Sequence, residues 1–467
     1  MRRAERWHAG VMSERPKVVV VGAGFGGLAA ARRLENEDVD VVIVDRHNFH
    51  TFQPLLYQVA TAGLNAADVG YAVRGLFRRE MRVLFRKDEV VGVDWERHRI
   101  QLADEGPIGF DHLIVAAGST TNYFGVDGAE EHAFPLYGLE DAILVRNHLL
   151  SLFEAAASDP DLVDDGVLNF VVVGGGPTGV EVSGALVELI DKVLEQDFHD
   201  LDVHRARVIL VEQLDTLLAP FSPRSQRYAA RTLGARGVEV RLGTAVQRIA
   251  PDHVELADGQ VVRTRLVLWA AGVKASGLAG HLGVEQGKGG RIRVGDDLSV
   301  VGHPEAFAVG DVADIDDGDG GRLPQLAQVA IQGGEHTAEQ VLADLDGRPR
   351  APFRYRDKGT MATIGRRAAV AELPVGPFGT RVLKGGLAWL AWLGLHLVYL
   401  LGVRNRLSVL TNWAWNYLTW DRGPRLILRP EVLPHSPRVE PDARPPAAGA
   451  RTEAAGAEAV PASPTAD

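Results

Sequence analysis

One pattern constrains this chain more than any other, and it occurs twice: an apolar strand that runs straight into closely spaced glycines. Lys17-Val-Val-Val-Val-Gly-Ala-Gly-Phe-Gly-Gly27 is the first copy and Asn169-Phe-Val-Val-Val-Gly-Gly-Gly-Pro-Thr-Gly179 is the second. A buried strand must turn sharply there into a helix, and glycine tolerates both the turn and the close packing. Each copy is followed by a helical stretch and a second apolar strand, Val41 to Val44 and Val208 to Val211. Each later reaches a strand ending in Ala-Ala-Gly, Leu113 to Gly118 and Leu266 to Gly272. Strands alternating with helices predict parallel sheets, so the chain reads as α/β with two Rossmann-like units in tandem. Its 467 residues leave room for two or three domains.

In Gly22-x-Gly24-x-x-Gly27 the first glycine permits the turn. The second lets the backbone approach a pyrophosphate, and the third lets helix and strand pack closely. The helix N-terminus supplies an anion site. Phe25 and Gly26 lie inside the motif. Asp45 ends the next strand, 23 residues after Gly22, where a carboxylate can accept bonds from ribose hydroxyls, and Arg46 follows it. The second motif is Gly174-x-Gly176-x-x-Gly179, with Thr178 inside it and Glu212 as its acid. That gap is 38 residues, against the ~20 expected. A long helix from Thr178 to about Gln196 and a polar loop from Asp197 to Arg205 are expected to absorb the excess. A glutamate at position 212 would repel a 2′-phosphate, so NADH is expected over NADPH. Two dinucleotide sites in one chain suggest FAD in one and NAD in the other, with Gly118 and Gly272 closing the two sites.

The net charge of −11 argues against nucleic acid as a partner, since phosphate binding needs a basic face. There is no cysteine. Disulfides, thiolate metal sites and a redox-active cysteine pair are therefore excluded, and no metal is expected. Met1 to Arg15 carries charges and no apolar run, so a secretory signal is not expected, and Met12 offers a second candidate start.

With these motifs in order, residues Lys17 to Leu428 resemble the two-dinucleotide-domain flavoproteins, and within them the type II NADH:quinone oxidoreductases. The resemblance implies FAD at the first motif and NADH at the second, in a domain inserted into the FAD domain. Phe307-Ala-Val-Gly-Asp311 resembles the late FAD motif, which would put Asp311 at the flavin ribitol. Phe52-Gln-Pro-Leu-Leu-Tyr-Gln-Val-Ala-Thr-Ala-Gly63 resembles the segment beneath the flavin. Leu326-Ala-Gln-Val-Ala-Ile-Gln-Gly334, with Ala327 at the cofactor, resembles the quinone-site motif. Its glutamines, Gln328 and Gln332, are spaced to share one helix face, where both amides could meet a ligand. Glu181 matches a position where a glutamate near the nicotinamide is a proposed catalytic group, and Lys384 is a further cofactor candidate. The implied domains are 16–125 and 273–350 for FAD, 126–272 for NADH and 351–429 for membrane anchoring. A flexible 1–15 and a disordered tail over 430–467 flank them. A homodimer on the cytoplasmic face of the cell membrane is implied. No set of charged membrane helices is available, so no proton pumping is expected.

From Ala351 the pattern changes. Thr360 to Glu372 reads as strands of a smaller domain. Gly385 to Val403 is 19 residues without a formal charge, the threshold length for a spanning helix. Lys384 precedes it, and Arg404 and Arg406 follow. Five of the eight tryptophans lie between Trp389 and Trp420, as suits a membrane interface. The next stretch is amphipathic. Leu407, Leu410, Ala414, Tyr417 and Leu418 oppose Ser408, Thr411, Asn412, Asn416 and Thr419, a pattern that favours lying in the lipid surface. The resemblance favours such a monotopic anchor over a span. Two other readings use the same motifs: a soluble NADH-dependent reductase of a protein acceptor such as a ferredoxin, and an NADH-sensing flavoprotein.

Overall fold

The computed structural model describes residues 15–375 and 379–428. Apart from Arg15, the expectations of a flexible N-terminus and a disordered tail fall outside those residues.

Each glycine motif is fed by the middle strand of a sheet. The first sheet has six strands in the order 299–300, 303–308, 112–115, 17–21, 40–45, 83–87. All its pairings are parallel except the hairpin at the 299–308 edge. The second has five strands, all parallel, in the order 134–135, 266–269, 169–173, 207–211, 239–241. Val18, Val19 and Val20 are fully buried, as are Val171 and Val172. Strands covered on both faces need such continuous apolar runs.

The two sheets repeat one register. Val21 stands beside Val44 and Val115, and Val173 stands beside Val211 and Trp269. After Val21 the chain enters helix α1 (Phe25–Leu34). A long helix α2 (Leu139–Ser158) leads into the second unit, where Val173 is followed by α3 (Pro177–Leu189). The excess length after the second motif is taken up by continued coiling. α3 runs into a π turn at Ile190–Leu194 and a last short piece at Glu195–Asp197. Helix α4 (Pro223–Ala235) lies later in this unit. The chain then returns to the first unit and forms α5 (Ala327–Leu345) against α1. The two Ala-Ala-Gly ends meet: Ser119–Thr121 and Val273–Ala275 pair antiparallel, a ribbon that joins the units.

The remaining part is a three-stranded antiparallel sheet, Thr360–Gly365, Ala368–Pro374 and Thr380–Lys384, followed by α6 (Gly386–Tyr399) and α7 (Val403–Thr419). It packs on α3 so closely that a Cβ at Gly184 would collide with the Ile364 carbonyl oxygen.

The apolar run at 385–403 is not one helix. α6 ends at Tyr399, Leu400 is extended, and Gly402 sits at φ +81 in the bend before α7. Among the described residues no helix is long and apolar enough to cross a membrane.

α7 turns Asn405, Val409 and Trp413 inward and leaves leucines outside. Its polar side faces the protein, where Ser408 Oγ and Asn412 Nδ2 donate to the two carboxylate oxygens of Asp68 at 2.6 and 2.9 Å. Asn416 Nδ2 donates to the Gly63 carbonyl at 3.0 Å. The Asn405 amide lies within 3.1 Å of the Ala67, Asp68 and Gly70 carbonyls. Leu407, Leu410 and Leu418 point outward at 57, 49 and 83% exposure. Thr411 and Thr419 also face outward, while Tyr417 is half-buried, so the polar and apolar sides differ from expectation at these three positions.

Asp68 should therefore be the residue on which α7 depends most. Replacing Asp68 with Ala strands three donors, Ser408 Oγ, Asn412 Nδ2 and Asn65 N, about 2–5 kcal/mol locally. Hydrogen exchange over 403–419 should accelerate about 30-fold or more while the strand at 17–21 stays protected.

Candidate functional site

The first cradle is built by the absence of side chains. Gly22 has φ +103, and a Cβ on it would collide with the Ala116 carbonyl oxygen. A Cβ on Gly27 would collide with the Gly22 carbonyl oxygen. Gly24 caps α1, and space for a Cβ there is open to 4 Å. Asp45 holds the loop: Ala23 N donates to Oδ2 at 2.6 Å and His47 N to Oδ1 at 2.7 Å.

The second cradle repeats this. Gly174 has φ +108 against Ala270 and Ala271, and a Cβ on Gly179 would collide with the Gly174 carbonyl oxygen. Gly176 caps α3 and is likewise open. Glu212 takes Asp45's part, accepting from Gly175 N at 2.5 Å and Leu214 N at 2.8 Å. Each carboxylate oxygen has two acceptor sites. One is used to clamp the loop and another remains for a ribose hydroxyl. Both cradles therefore fit a dinucleotide: bare backbone, an open helix N-terminus and a strand-end carboxylate.

Around the first cradle, Phe25 packs its ring against His50 and Phe52 at centroid distances of 5.0 and 5.9 Å. His50 is buried with Nδ1 2.9 Å from the Ala23 carbonyl, and burial lowers its pKa to about 4, so the ring is neutral. Arg46 is exposed and its charge is felt at Asp141. The turn at Gly310–Val312 carries Asp311 to Ser119, whose Oγ donates to Oδ2 at 2.6 Å. Burial raises the Asp311 carboxyl pKa. α5 crosses α1 at glycines: a Cβ on Gly26 would press on Val309 and Ala330, and one on Gly334 on the Gly26 carbonyl. Gly118, at φ +68, and Gly272 begin the ribbon that joins the units. Thr178 is exposed in the first turn of α3.

The two glutamines part company. Gln328, next to Ala327 at the start of α5, has a buried Oε1 with no hydrogen-bond partner among the described residues. Gln332 bonds to passing backbone with one donor and one acceptor of its amide. Its Nε2 donates to the Arg356 carbonyl and its Oε1 accepts from Arg356 N, both at 3.0 Å. The two glutamines therefore differ: backbone at Arg356 bonds the second, and the first has no described partner at Oε1. The Lys384 ammonium lies 5.6 Å from the Tyr228 ring centroid on α4, a cation–π contact.

Glu181, on α3, is 9% exposed. Its Oε1 accepts from Thr363 N at 3.2 Å, and it also bonds to the Trp392 side chain. Burial outweighs these bonds and pushes its pKa up to about 8. It borders a small cavity of about 60 Å³ together with Tyr57, Gln58, Trp392, Trp413 and Arg422. Trp413 Nε1 donates to Gln58 Oε1 at 2.7 Å, and Gln58 Nε2 lies 2.9 Å from the Tyr57 hydroxyl. His396 stacks on Trp392 at 3.9 Å and burial lowers its pKa to about 4. Arg422 is buried, donating to the Thr61 carbonyl at 2.8 Å with Glu188 at 3.6 Å. Tyr57 and Gln58 lay within a recognised stretch. Nothing near Trp392 or Arg422 in sequence marks them, because α6 and the segment after α7 reach Glu181 only through the fold.

Two dinucleotide cradles in series, with a buried acid beside the second, define a nicotinamide-dependent flavoprotein oxidoreductase. The family described as pyridine nucleotide-disulphide oxidoreductase matches residues 16–334, and the NDH2 C-terminal domain matches 358–420. The chain is 37% identical over 425 residues to the type II NADH:quinone oxidoreductase Ndh of Mycobacterium tuberculosis, covering 88% of this chain and 89% of that one. It is 31% identical over 365 residues to the type II NADH:quinone oxidoreductase of Staphylococcus haemolyticus, covering 76 and 89%. Its fold is similar to that of NDH2 from Plasmodium falciparum solved in complex with NADH, with a TM-score of 0.80 at 19% identity over 89% of this chain and 100% of that one. The chain belongs to the type II NADH:quinone oxidoreductase family, and it is an FAD flavoprotein that uses NAD(H). Lacking cysteine, it carries none of the disulfide chemistry in the wider family's name.

The duplication makes the cradles separable. Gly27→Ala should yield protein depleted of FAD. Gly179→Ala should keep its yellow colour but lose reduction by NADH about 100-fold or more, as read by flavin bleaching in stopped flow. The same defect in both variants would mean the two cradles do not serve different nucleotides.

Proposed function

We propose that the chain oxidises NADH at the second cradle and reduces a quinone drawn from a lipid surface on which α6 and α7 lie. The observation that carries this reading is the orientation of α7. Buried asparagines and exposed leucines suit a face that rests against apolar surroundings, as a lipid surface provides. α6 adds Leu387, Leu390 and Val398, all more than half exposed. Arg404 and Arg406 stand among these leucines, as suits a headgroup boundary.

FAD, when bound, supplies the two-electron carrier between nicotinamide and quinone. The chain does the rest. Asp45 and Glu212 hold the loops that receive the two pyrophosphates, and both carboxylates keep lone pairs for ribose hydroxyls. Ser119 positions Asp311 for a ribitol hydroxyl. Gln328 presents a free amide oxygen at the start of α5, an acceptor for the hydroxyl that a quinone carbonyl becomes. Glu181 keeps its proton on a carboxyl oxygen at neutral pH, which makes it a proton donor for quinol formation.

NADH oxidation by purified protein, with a short-tailed soluble quinone and with a long-tailed quinone in vesicles, tests this. Leu407→Asp with Leu410→Asp and Leu418→Asp should lose the second activity and keep the first. Reduction of neither quinone by the unaltered protein overturns the activity. Equal loss of both would mean that the leucines face a second copy or the core rather than lipid, and an unchanged mass in light scattering with retained lipid binding would also refute the anchor.

Two residue-level outcomes follow from the same geometry. Gln328→Leu should slow flavin reoxidation by quinone about 5- to 150-fold, equivalent to roughly 1–3 kcal/mol, and leave reduction by NADH nearly unchanged. Gln332→Leu should instead expose the backbone around Arg356 to proteolysis.

The pH profile isolates Glu181. With its pKa raised to about 8, the acid is protonated below that value and loses the proton as pH rises through it. Quinone-dependent reoxidation should therefore fall above about pH 8. Glu181→Gln should be about 100-fold slower at pH 7 and flat between pH 7 and 9. A wild-type profile that stays level to pH 9.5 would count against the acid role.

A further inference from the structure

Charge is distributed unevenly along this acidic chain. Residues 351–428 hold eleven Lys and Arg against three Asp and Glu, a net of +8 within a chain of −11. Two of these cations, Arg366 and Arg367, line a groove of about 570 Å³ where α3, the end of α4 and the 360–374 hairpin meet Trp420. Lys192 and Arg236 complete its basic wall, and Glu188 and Asp191 also border it.

Most of these charges are already matched. Glu188 pairs with Arg236 at 2.6 Å and with Arg422 at 3.6 Å, and accepts from Arg366 N. Asp191 faces His204 at 4.0 Å. The Arg366 guanidinium lies over Trp420 at 4.4 Å and Tyr417 at 5.1 Å, and donates to the Tyr417 carbonyl. Lys192 and Arg367 remain, both exposed, with no side-chain ion pair or hydrogen bond among the described residues. Arg367 and Trp420 also sit at φ +60 and +61, two of the seven non-glycine residues with positive φ among the described residues. Such conformations persist where packing enforces them, often at ligand clamps.

The groove adjoins the apolar face. Trp420 is the C-cap of α7, two residues beyond Leu418, and Trp415 is 57% exposed nearby. An indole at the rim with unpaired cations behind it suits a group that is apolar on one side and anionic on the other.

We propose that this groove receives the phosphate of an anionic phospholipid headgroup, with Lys192 and Arg367 as its charge partners and Trp420 as its rim. The proposal rests on the lipid-surface reading above and deepens it: the leucines give affinity for any bilayer, and the groove gives preference for an anionic one. Without local cations a chain of net −11 would be repelled by such a surface.

Flotation of the full-length flavoprotein with vesicles tests it, using phosphatidylcholine alone and phosphatidylcholine with phosphatidylglycerol. The unaltered protein should bind the anionic vesicles more tightly. Lys192→Gln with Arg367→Gln should weaken binding to them about five-fold per cation removed and leave binding to phosphatidylcholine unchanged. Arg97→Gln with Arg263→Gln, exposed arginines on the two nucleotide units, should change neither. Turnover with a short-tailed quinone reports intact folding in all variants. Retained anionic preference in the groove variant, or an equal loss in the control pair, overturns the site. Abolition of the preference by millimolar inorganic phosphate would assign the groove to a free anion instead. If the unaltered protein binds both vesicles equally, only this inference fails. If it binds neither, the lipid-surface reading fails with it.

Discussion

Both nucleotide units depend on a helix packed against its preceding strand more closely than any Cβ permits. Gly27 against Gly22, and Gly179 against Gly174, bring α1 and α3 down onto their own loops. That approach points each helix N-terminus at open space, where the unpaired amides and the helix dipole favour an anion. The same closeness would leave each loop under-determined without a clamp. Asp45 and Glu212 supply it, each taking one amide from the loop and one from the turn after its own strand. A carboxylate that shapes the loop and keeps spare lone pairs would couple nucleotide binding to loop order.

The acid beside the second cradle has a different origin. Glu181 lies in the first turns of α3, where a helix dipole would favour its ionised form. Burial beneath Trp392 and the 360–365 strand wins, because desolvating a carboxylate costs more than one backbone bond and one indole return. The sheet at 360–384 and α6 supply that burial. Closing over α3 at Gly184, they raise the pKa of Glu181.

α7 joins the two tasks. Its amides dock on 63–70, the continuation of the segment next to Tyr57 and Gln58, and Trp413 bonds to Gln58 directly. A docking face made of hydrogen bonds leaves the leucines free. On the lipid-surface reading proposed above, burial of each leucine would be worth roughly 1.5–3 kcal/mol, so a few would suffice for attachment without a span.

The glycine motifs, the apolar strands and the strand-end acids could all be read from the sequence, because each is a local requirement: a backbone angle, a close approach, a buried strand. Periodicity also grouped most of the side chains of α7 correctly. It could not say which side turns inward, since an inverted helix has the same period as an ordinary one. Spacing likewise put Gln328 and Gln332 on one face, yet Arg356 satisfies only the second. The break at Leu400 to Gly402 escaped an apolar count because a bend need not contain a charge. The sequence by itself determined two dinucleotide cradles, their carboxylates and an apolar C-terminal region. Only the tertiary structure decided which glutamine is bonded by backbone, that the Glu181 pKa is raised and that leucines rather than asparagines face outward, because each depends on desolvation or hydrogen bonding by partners far away in the chain.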